Sequence, residues 1–149
     1  MLDHMRMAYA YVSEAVGDRA VVEMQLMPDS ADTYPLVVVS TSPPSYVRNG
    51  PLGAAHQFRL YCSVYGRDVI ETWDLALEIE HNIQSLYQRR FTTPYGGITH
   101  ISRVASSRPN RVPPSYGDPT DDTIRVDFDF YVTARAPVAS GDNAPTNEE

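Results

Sequence analysis

The sequence predicts a single α+β domain, with an antiparallel sheet of about four to five strands and two helices packed on one face of it. Residues 54–65 and 123–135 alternate between apolar and polar side chains, which indicates strands with one buried and one solvated face. Between them, residues 68–90 carry apolar side chains at helical spacing over about five turns. An antiparallel sheet covered on one side only accounts for these patterns.

The first part of the chain predicts one short helix and two strands. Residues 3–16 place apolar side chains at helical spacing, and Gly17 follows as a stop signal, so a short N-terminal helix is expected. Residues 19–27 alternate as a strand does. Residues 34–41, YPLVVVST, are a β-branched run compatible with a strand buried on both faces.

The second part predicts the main helix and two further strands. Asp68, with Glu71 three residues on, resembles a capping box at the start of the long helix. Its apolar stripe predicts that Trp73 packs under the sheet, so that Trp73→Ala would cost about 3–5 kcal/mol. Residues 97–105 form a weaker strand whose broken period indicates a bulge. The stripe expected to face the sheet comprises Val69, Trp73, Ala76, Ile83, Leu86 and Tyr87, supported by Ile70, Leu77 and Ile79.

Two segments rich in proline are predicted to be loops, residues 42–53 and residues 106–122. The second is too long for an ordinary hairpin turn, and long connections of this kind are usually functional or disordered. Residues 137–149 have almost no large apolar side chain and predict a disordered tail. The folded domain is therefore expected to span residues 1–136.

Composition narrows the possible functions. The net charge of −7 argues against avid binding to a nucleic acid backbone, which requires a cationic surface. All twelve basic residues are arginine, either because the genome is rich in GC or because arginine suits protein interfaces. The only cysteine, Cys62, lies on the apolar face of a strand and predicts a buried thiol in a reducing compartment. With no apolar stretch near ~20 residues and no signal peptide, we expect synthesis in the cytoplasm and no membrane.

Candidate catalytic and metal-binding residues are few. Glu78 and His81 resemble half of a carboxylate-bridged metal site, but no second pair has matching spacing. Asp127 and Asp129 lie about 6.6 Å apart on a strand, a separation at which carboxylates can act as acid and base. Alternating acidic residues on an exposed strand more often serve solubility. We therefore expect no enzymatic activity, no cofactor and no metal.

The two proline-rich segments supply the candidate interaction residues. Tyrosine, arginine and asparagine are frequent at protein interfaces, and proline lowers the entropy lost when a loop is held against a partner. Ordinary solvated loops remain the alternative interpretation. The candidates are Tyr46, Arg48, Asn49, Arg108, Asn110, Arg111 and Tyr116.

With this order of elements, residues 3–135 resemble the tail terminator proteins of long-tailed bacteriophages. The resemblance lies in the N-terminal helix, the YPLVVVS strand, the passage HQFRLYCSVYGRDVIETWDLALEIEHNIQSLY and the closing strand TIRVDFDFYVTAR. It implies a structural virion protein that assembles as a ring, usually of six copies, at the neck of the particle after assembly in the host cytoplasm. It also implies contacts with the tail tube protein and with the head-tail connector protein.

The resemblance further implies that DNA passes through the ring without specific binding. A negative lumen would let repelled DNA slide, and Asp127 and Asp129 are the candidates to line it. Two alternatives stay open. The chain could be another neck component, such as a head-closure or head-tail joining protein, or it could be a small enzyme or ligand-binding domain that uses the two aspartates.

Overall fold

The computed structural model describes residues 3–25, 33–46, 55–102, 109–112 and 123–136, and in these ranges the chain is an α+β domain with two helices and one eight-stranded sheet. The helices are α1 (His4–Val16) and α2 (Val69–Gln88). The strands are β1 (Val21–Glu23), β2 (Leu36–Thr41), β3 (Ser45–Tyr46), β4 (Ala55–Gly66), β5 (Thr92–Thr93), β6 (Gly96–Ser102), β7 (Asn110–Val112) and β8 (Ile124–Arg135).

The two long strands that the alternating segments predict, β4 and β8, form the centre of the sheet. They pair antiparallel along their whole length, from Ala55 opposite Arg135 to Gly66 opposite Ile124. Their apolar side chains face α1 and α2 and are buried, and Leu60 and Phe130 lie opposite one another in this layer. The expected pair of half-buried central strands is confirmed.

The sheet is larger than predicted, and it is mixed. Its order is β1-β2-β4-β8-β6-β5, with β3 also paired to β4 and β7 also paired to β8. β1 runs parallel to β2, so the expectation of a purely antiparallel sheet is wrong at this edge. Residues 24–35 separate the two strands, which matches the connection of about a dozen residues that parallel neighbours need. β3, β5 and β7 have only two or three residues each, too few to show an alternating pattern.

Local signals in the sequence place the helix ends and the bulge. The Asp3 carboxylate accepts a hydrogen bond from the Arg6 backbone N–H at 3.1 Å and caps α1, and Gly17 ends the helix with a φ of 64°. The Asp68 carboxylate caps α2 by accepting from the Glu71 N–H at 2.9 Å. The pairing of β6 with β8 slips between residues 98 and 100, which confirms the predicted bulge.

α2 is rotated about its axis relative to the predicted stripe. Trp73 is 36 % exposed, so the prediction that it packs under the sheet is wrong. α2 carries apolar residues over a wide arc, and helical spacing alone does not say which part of that arc the sheet covers. Leu75 is buried where the stripe had no member. The buried residues of α2 are Thr72, Leu75, Ala76, Ile79, Glu80, Ile83 and Leu86.

The passage from β4 into α2 depends on a close approach at Gly66. A Cβ at this position would overlap with the Thr72 hydroxyl, which donates to the Asp68 carbonyl at 2.6 Å. Gly66→Ala is therefore expected to turn Thr72 away from Asp68 and to lower the free energy of unfolding by about 1–2 kcal/mol. Urea unfolding measures the change. In a Thr72→Ala background the same substitution should cost only a few tenths of a kcal/mol, and an unchanged cost would contradict the proposed overlap.

Tyr11 is fully buried, and its hydroxyl donates to the Phe91 carbonyl at 3.1 Å. Burial, with a smaller effect from the Tyr87 phenol, raises the pKa of Tyr11 to about 12. A raised pKa means that the folded state favours the neutral phenol, so its contribution is present below about pH 10 and lost as the pH rises through 12. We expect the thermal midpoint of wild type to lie above that of Tyr11→Phe at pH 8, and the difference between the two midpoints to shrink towards pH 12. A gap independent of pH would contradict this assignment.

Cys62 is 1 % exposed, as its position on the apolar face predicts. Burial raises the pKa of its thiol, with a smaller effect from Asp127 and Asp129. The thiol is therefore held in its neutral, unreactive form. Within the described ranges, neither helix combines the length and the apolar character that a membrane span requires.

Candidate interaction surface

The face of the sheet turned away from the helices, which we call the open face, carries a connected set of arginine, aspartate and tyrosine side chains. They alternate with the buried residues of the two central strands, as the sequence predicts. In the register of the two strands, Tyr131 lies opposite Arg59, Asp129 opposite Tyr61, and Arg125 opposite Tyr65. The members of this set are Arg59, Tyr61, Tyr65, Arg125, Asp127, Asp129 and Tyr131.

Arg59 is the centre of the first group. Its Nε donates to Asp129 Oδ2 at 2.8 Å, and its Nη2 reaches the same oxygen. The guanidinium carbon lies 5.2 Å from the centroid of the Tyr131 ring and 5.4 Å from that of Tyr61, within cation–π range of both. The hydrogen bond to Asp129 raises the pKa of Arg59, so the guanidinium stays charged. The arginine is thus held in place on three sides.

Arg125 is the centre of the second group. It forms a two-pronged pair with Asp127, from Nε to Oδ1 at 2.8 Å and from Nη2 to Oδ2 at 2.9 Å. Its guanidinium carbon lies 5.8 Å from the Tyr65 ring centroid, and Tyr65 stacks on Tyr34 at 6.3 Å. The hydrogen bond to Asp127 raises the pKa of Arg125. Arg67 continues the row, 5.4 Å from the Tyr34 centroid.

The pairing changes how the two aspartates act. Asp127 and Asp129 each carry an arginine counter-charge, so they contribute a neutral pair rather than a free negative charge. Together with Arg135, the central strands place three arginines against two aspartates on this face.

Of the predicted loop residues, three lie in the described ranges, and the structure places Tyr46 far from Asn110 and Arg111. Tyr46 lies in β3 opposite His56, at one end of the central strands, whereas Asn110 lies in β7 opposite Asp127. His56 pairs with Ala134, so the two sites are seven positions apart on β8, about 23 Å at ~3.3 Å per residue. Arg111 lies in β7 next to Asn110, with an exposed side chain. Arg48, Asn49, Arg108 and Tyr116 fall outside the described residues.

The candidate metal pair has another explanation. Glu78 forms an ion pair with Arg19, which follows α1, and this contact ties the two helices together. His81 is exposed on the solvated side of α2. In the described part of the chain, no group of three or more His, Cys, Asp or Glu side chains is placed to hold a metal ion.

Sequence reasoning assigned the open-face residues to the correct side of the sheet but did not single out Arg59, Tyr61, Tyr65 or Tyr131. The signal in residues 59–65 was that Arg59, Tyr61 and Tyr65 occupy three of the four positions on the polar side, with Ser63 in the fourth. What it lacked was the register of β4 against β8, which brings Arg59 within reach of Asp129, whereas the pair of Arg125 with Asp127 lies within β8 itself.

No family model and no curated protein matches the sequence. Among solved structures, the chain is similar to one in the virion of the native gene transfer agent (GTA) particle. The sequence identity is 14 %, the TM-score is 0.42, and the alignment covers 88 % of this chain and 93 % of the other.

Proposed function

We propose that the protein is a structural, non-enzymatic component of a phage-like virion, a tail terminator that forms a ring on the end of the tail tube. The observation that carries the proposal is the one-sided architecture. Both helices pack on one face of the sheet, and the opposite face presents an ordered array of arginine and tyrosine. The order of the elements along the chain also agrees with the resemblance found in the sequence.

The open face has the properties of a protein-binding surface. Arginine and tyrosine are the residue types on which binding energy concentrates at interfaces. Arg59 is fixed by Asp129 and by two aromatic rings before any partner arrives, so little side-chain entropy is lost on binding. Tyr131 is 45 % exposed and offers a large, rigid contact area. We assign this face to contacts with the tail tube protein or the head-tail connector protein.

The same contacts argue against the alternative of an enzyme. Asp127 and Asp129 would have to supply the acid and the base, yet each is engaged by an arginine. The two ion pairs also weaken the hypothesis that Asp127 and Asp129 give the ring a negative lumen, since the paired arginines cancel the charge of the aspartates. In our proposal the six copies enclose a lumen through which DNA passes without specific binding, and that lumen is formed by another surface.

Mass and shape test the proposal directly. Light scattering should give a mass of about six chains, and negative-stain images should show a hollow ring. Incubation with the tube protein from the same genome should place the ring at tube ends and stop their growth. A single-chain mass at the highest soluble concentration would overturn the proposal. A ring that binds the connector but not the tube would favour a head-closure or head-tail joining protein.

Tyr131→Ala tests the role of the open face. We expect it to weaken tube capping more than tenfold, because an exposed aromatic anchor is lost, and to leave the thermal midpoint nearly unchanged. Glu14→Ala, an exposed change on the helical side, is the matched control and should cap normally. Equal capping by both variants would exclude the open face from the tube contact. Sedimentation of capped tubes at a series of protein concentrations measures the difference.

A further inference from the structure

α2 exposes an apolar stripe that no other part of the described ranges covers. Its four members are exposed by 42, 71, 36 and 42 %, in chain order. They recur at spacings of one, three and four residues and therefore share one side of the helix. The stripe consists of Val69, Ile70, Trp73 and Leu77.

The stripe points away from α1. Asn82 of α2 donates to the Ala15 carbonyl of α1 at 3.0 Å, so α1 lies on the Asn82 side. Trp73 precedes Asn82 by nine residues, which at 3.6 residues per turn is two and a half turns, so the two side chains point in opposite directions. Glu78, also on the α1 side, is paired with Arg19.

A second exposed apolar group lies beyond α1, at the β1 edge of the sheet. Its members are exposed by between 38 and 46 %. The Tyr9 hydroxyl contacts the Val22 carbonyl of β1 at 3.4 Å, which fixes this group on the side of α1 that faces the sheet edge rather than α2. The edge group consists of Met5, Tyr9, Val21 and Met24. Of the ten large apolar side chains exposed among the described residues, eight belong to these two groups.

We infer that the α2 stripe of one copy packs against the edge group of the next copy, head to tail. The inference rests on the proposed function, since a ring requires an interface between two different surfaces of the same chain. Each group has four members, and the two groups lie at opposite ends of the helical layer. One copy can therefore present the stripe to the neighbour on one side and the edge group to the neighbour on the other. Charges at their rims are complementary, with Asp74 beside the stripe and Arg6 beside the edge group.

The rim charges are available for this contact. Arg6 holds Asp3 at 3.6 Å through side chains that are 68 % and 43 % exposed, and its guanidinium carbon lies 5.8 Å from the centroid of the Tyr95 ring. Both are surface contacts, which exchange easily for a contact with a second copy. Asp74 is on the exposed side of α2 next to Ile70 and Leu77. A second copy is therefore favoured over a purely apolar partner such as a lipid surface.

Two complementary variants test the inference. The stripe variant is Ile70→Glu with Leu77→Glu, and the edge variant is Met5→Glu with Met24→Glu. All four positions are exposed, so circular dichroism spectra should match wild type, and thermal melts should match it when wild type is diluted until it dissociates into single chains. Gln88→Glu, on the same helix about 27 Å from Ile70 at ~1.5 Å per residue, is the charge control and should assemble normally.

Light scattering then separates the outcomes. Each double variant alone should have the mass of a single chain, and an equimolar mixture should give a two-chain species and nothing larger, because one intact interface remains. Restored pairing also shows that both variants are folded. If wild type forms a ring and the stripe variant does too, the inference fails and the proposed function stands. If the edge variant alone still dimerises, the stripe pairs with itself and the head-to-tail arrangement is wrong. A monomeric wild type overturns both proposals.

Discussion

Phe130→Ala is expected to lower the free energy of unfolding by about 3–5 kcal/mol, the range for truncating a large aromatic side chain in a core. Phe130 is 1 % exposed, lies opposite Leu60 and meets the edge of Phe128 with ring centroids 6.0 Å apart. Removing the ring leaves a cavity between the two central strands and the helices, which cannot collapse without shifting both. Urea unfolding followed by circular dichroism measures the loss.

Trp73→Ala is the matched comparison, because the apolar stripe predicts the same cost for it. In the structure Trp73 is 36 % exposed and outside the sheet contact, so we now expect a loss of about 1 kcal/mol or less for the isolated chain. A larger cost for Trp73→Ala than for Phe130→Ala would show that α2 is turned the other way. The comparison is best made at concentrations where the chain is monomeric.

Asp129→Asn is expected to cost about 2 kcal/mol. The side chain of Asp129 is 12 % exposed, which places its pair with Arg59 between exposed pairs, worth about 0–1 kcal/mol, and buried pairs, whose breakage costs about 3–5 kcal/mol. Asparagine keeps the shape but leaves the guanidinium between two rings without a counter-charge. Thermal and urea unfolding at low and high salt measure the effect.

Asp127→Asn is the control for this prediction. Its pair with Arg125 has side chains that are 30 % and 43 % exposed, so water screens it more and the loss should stay below about 1 kcal/mol. The loss at Asp127 should also shrink in high salt, whereas that at Asp129 should persist. Equal losses at the two positions would mean that burial does not distinguish the pairs.

The parts of the fold that the sequence predicted share a physical basis. β4 and β8 are long and half-buried, so twelve consecutive residues report the same period. The helix ends follow from Asp3, Gly17 and Asp68, whose side chain or backbone satisfies local hydrogen bonds. In each case the residues that carry the signal are close together in sequence.

The parts that escaped prediction depend on distant residues. The parallel pairing of β1 with β2 is decided by tertiary packing, and so is the rotation of α2, which buries Thr72 and Glu80 while Ile70 stays exposed. The alternating pattern fixes which face a strand residue occupies but allows the register to shift by two residues. The contact between Arg59 and Asp129 exists in only one of those registers.

The candidate interaction residues of the two proline-rich segments were predicted from composition alone, and the structure describes only part of those segments. Tyr46 and Asn110 lie on opposite ends of the sheet, so composition identified residue types without a shared location. The open face and the α2 stripe are surfaces made by side chains far apart in the sequence. Composition alone cannot predict such surfaces, because it does not say which residues are neighbours in space.

The burial of Cys62 bears on how the protein responds to oxidants. An oxidant acts first on the sulfur atoms that it can reach, whether they belong to cysteine or to methionine. Cys62 is 1 % exposed, so its thiol cannot reach a neighbouring chain to form a cross-link, whereas Met5 and Met24 are 46 % and 40 % exposed and open to conversion to the sulfoxide. Oxidation is therefore expected to alter the edge group and to leave the core thiol intact.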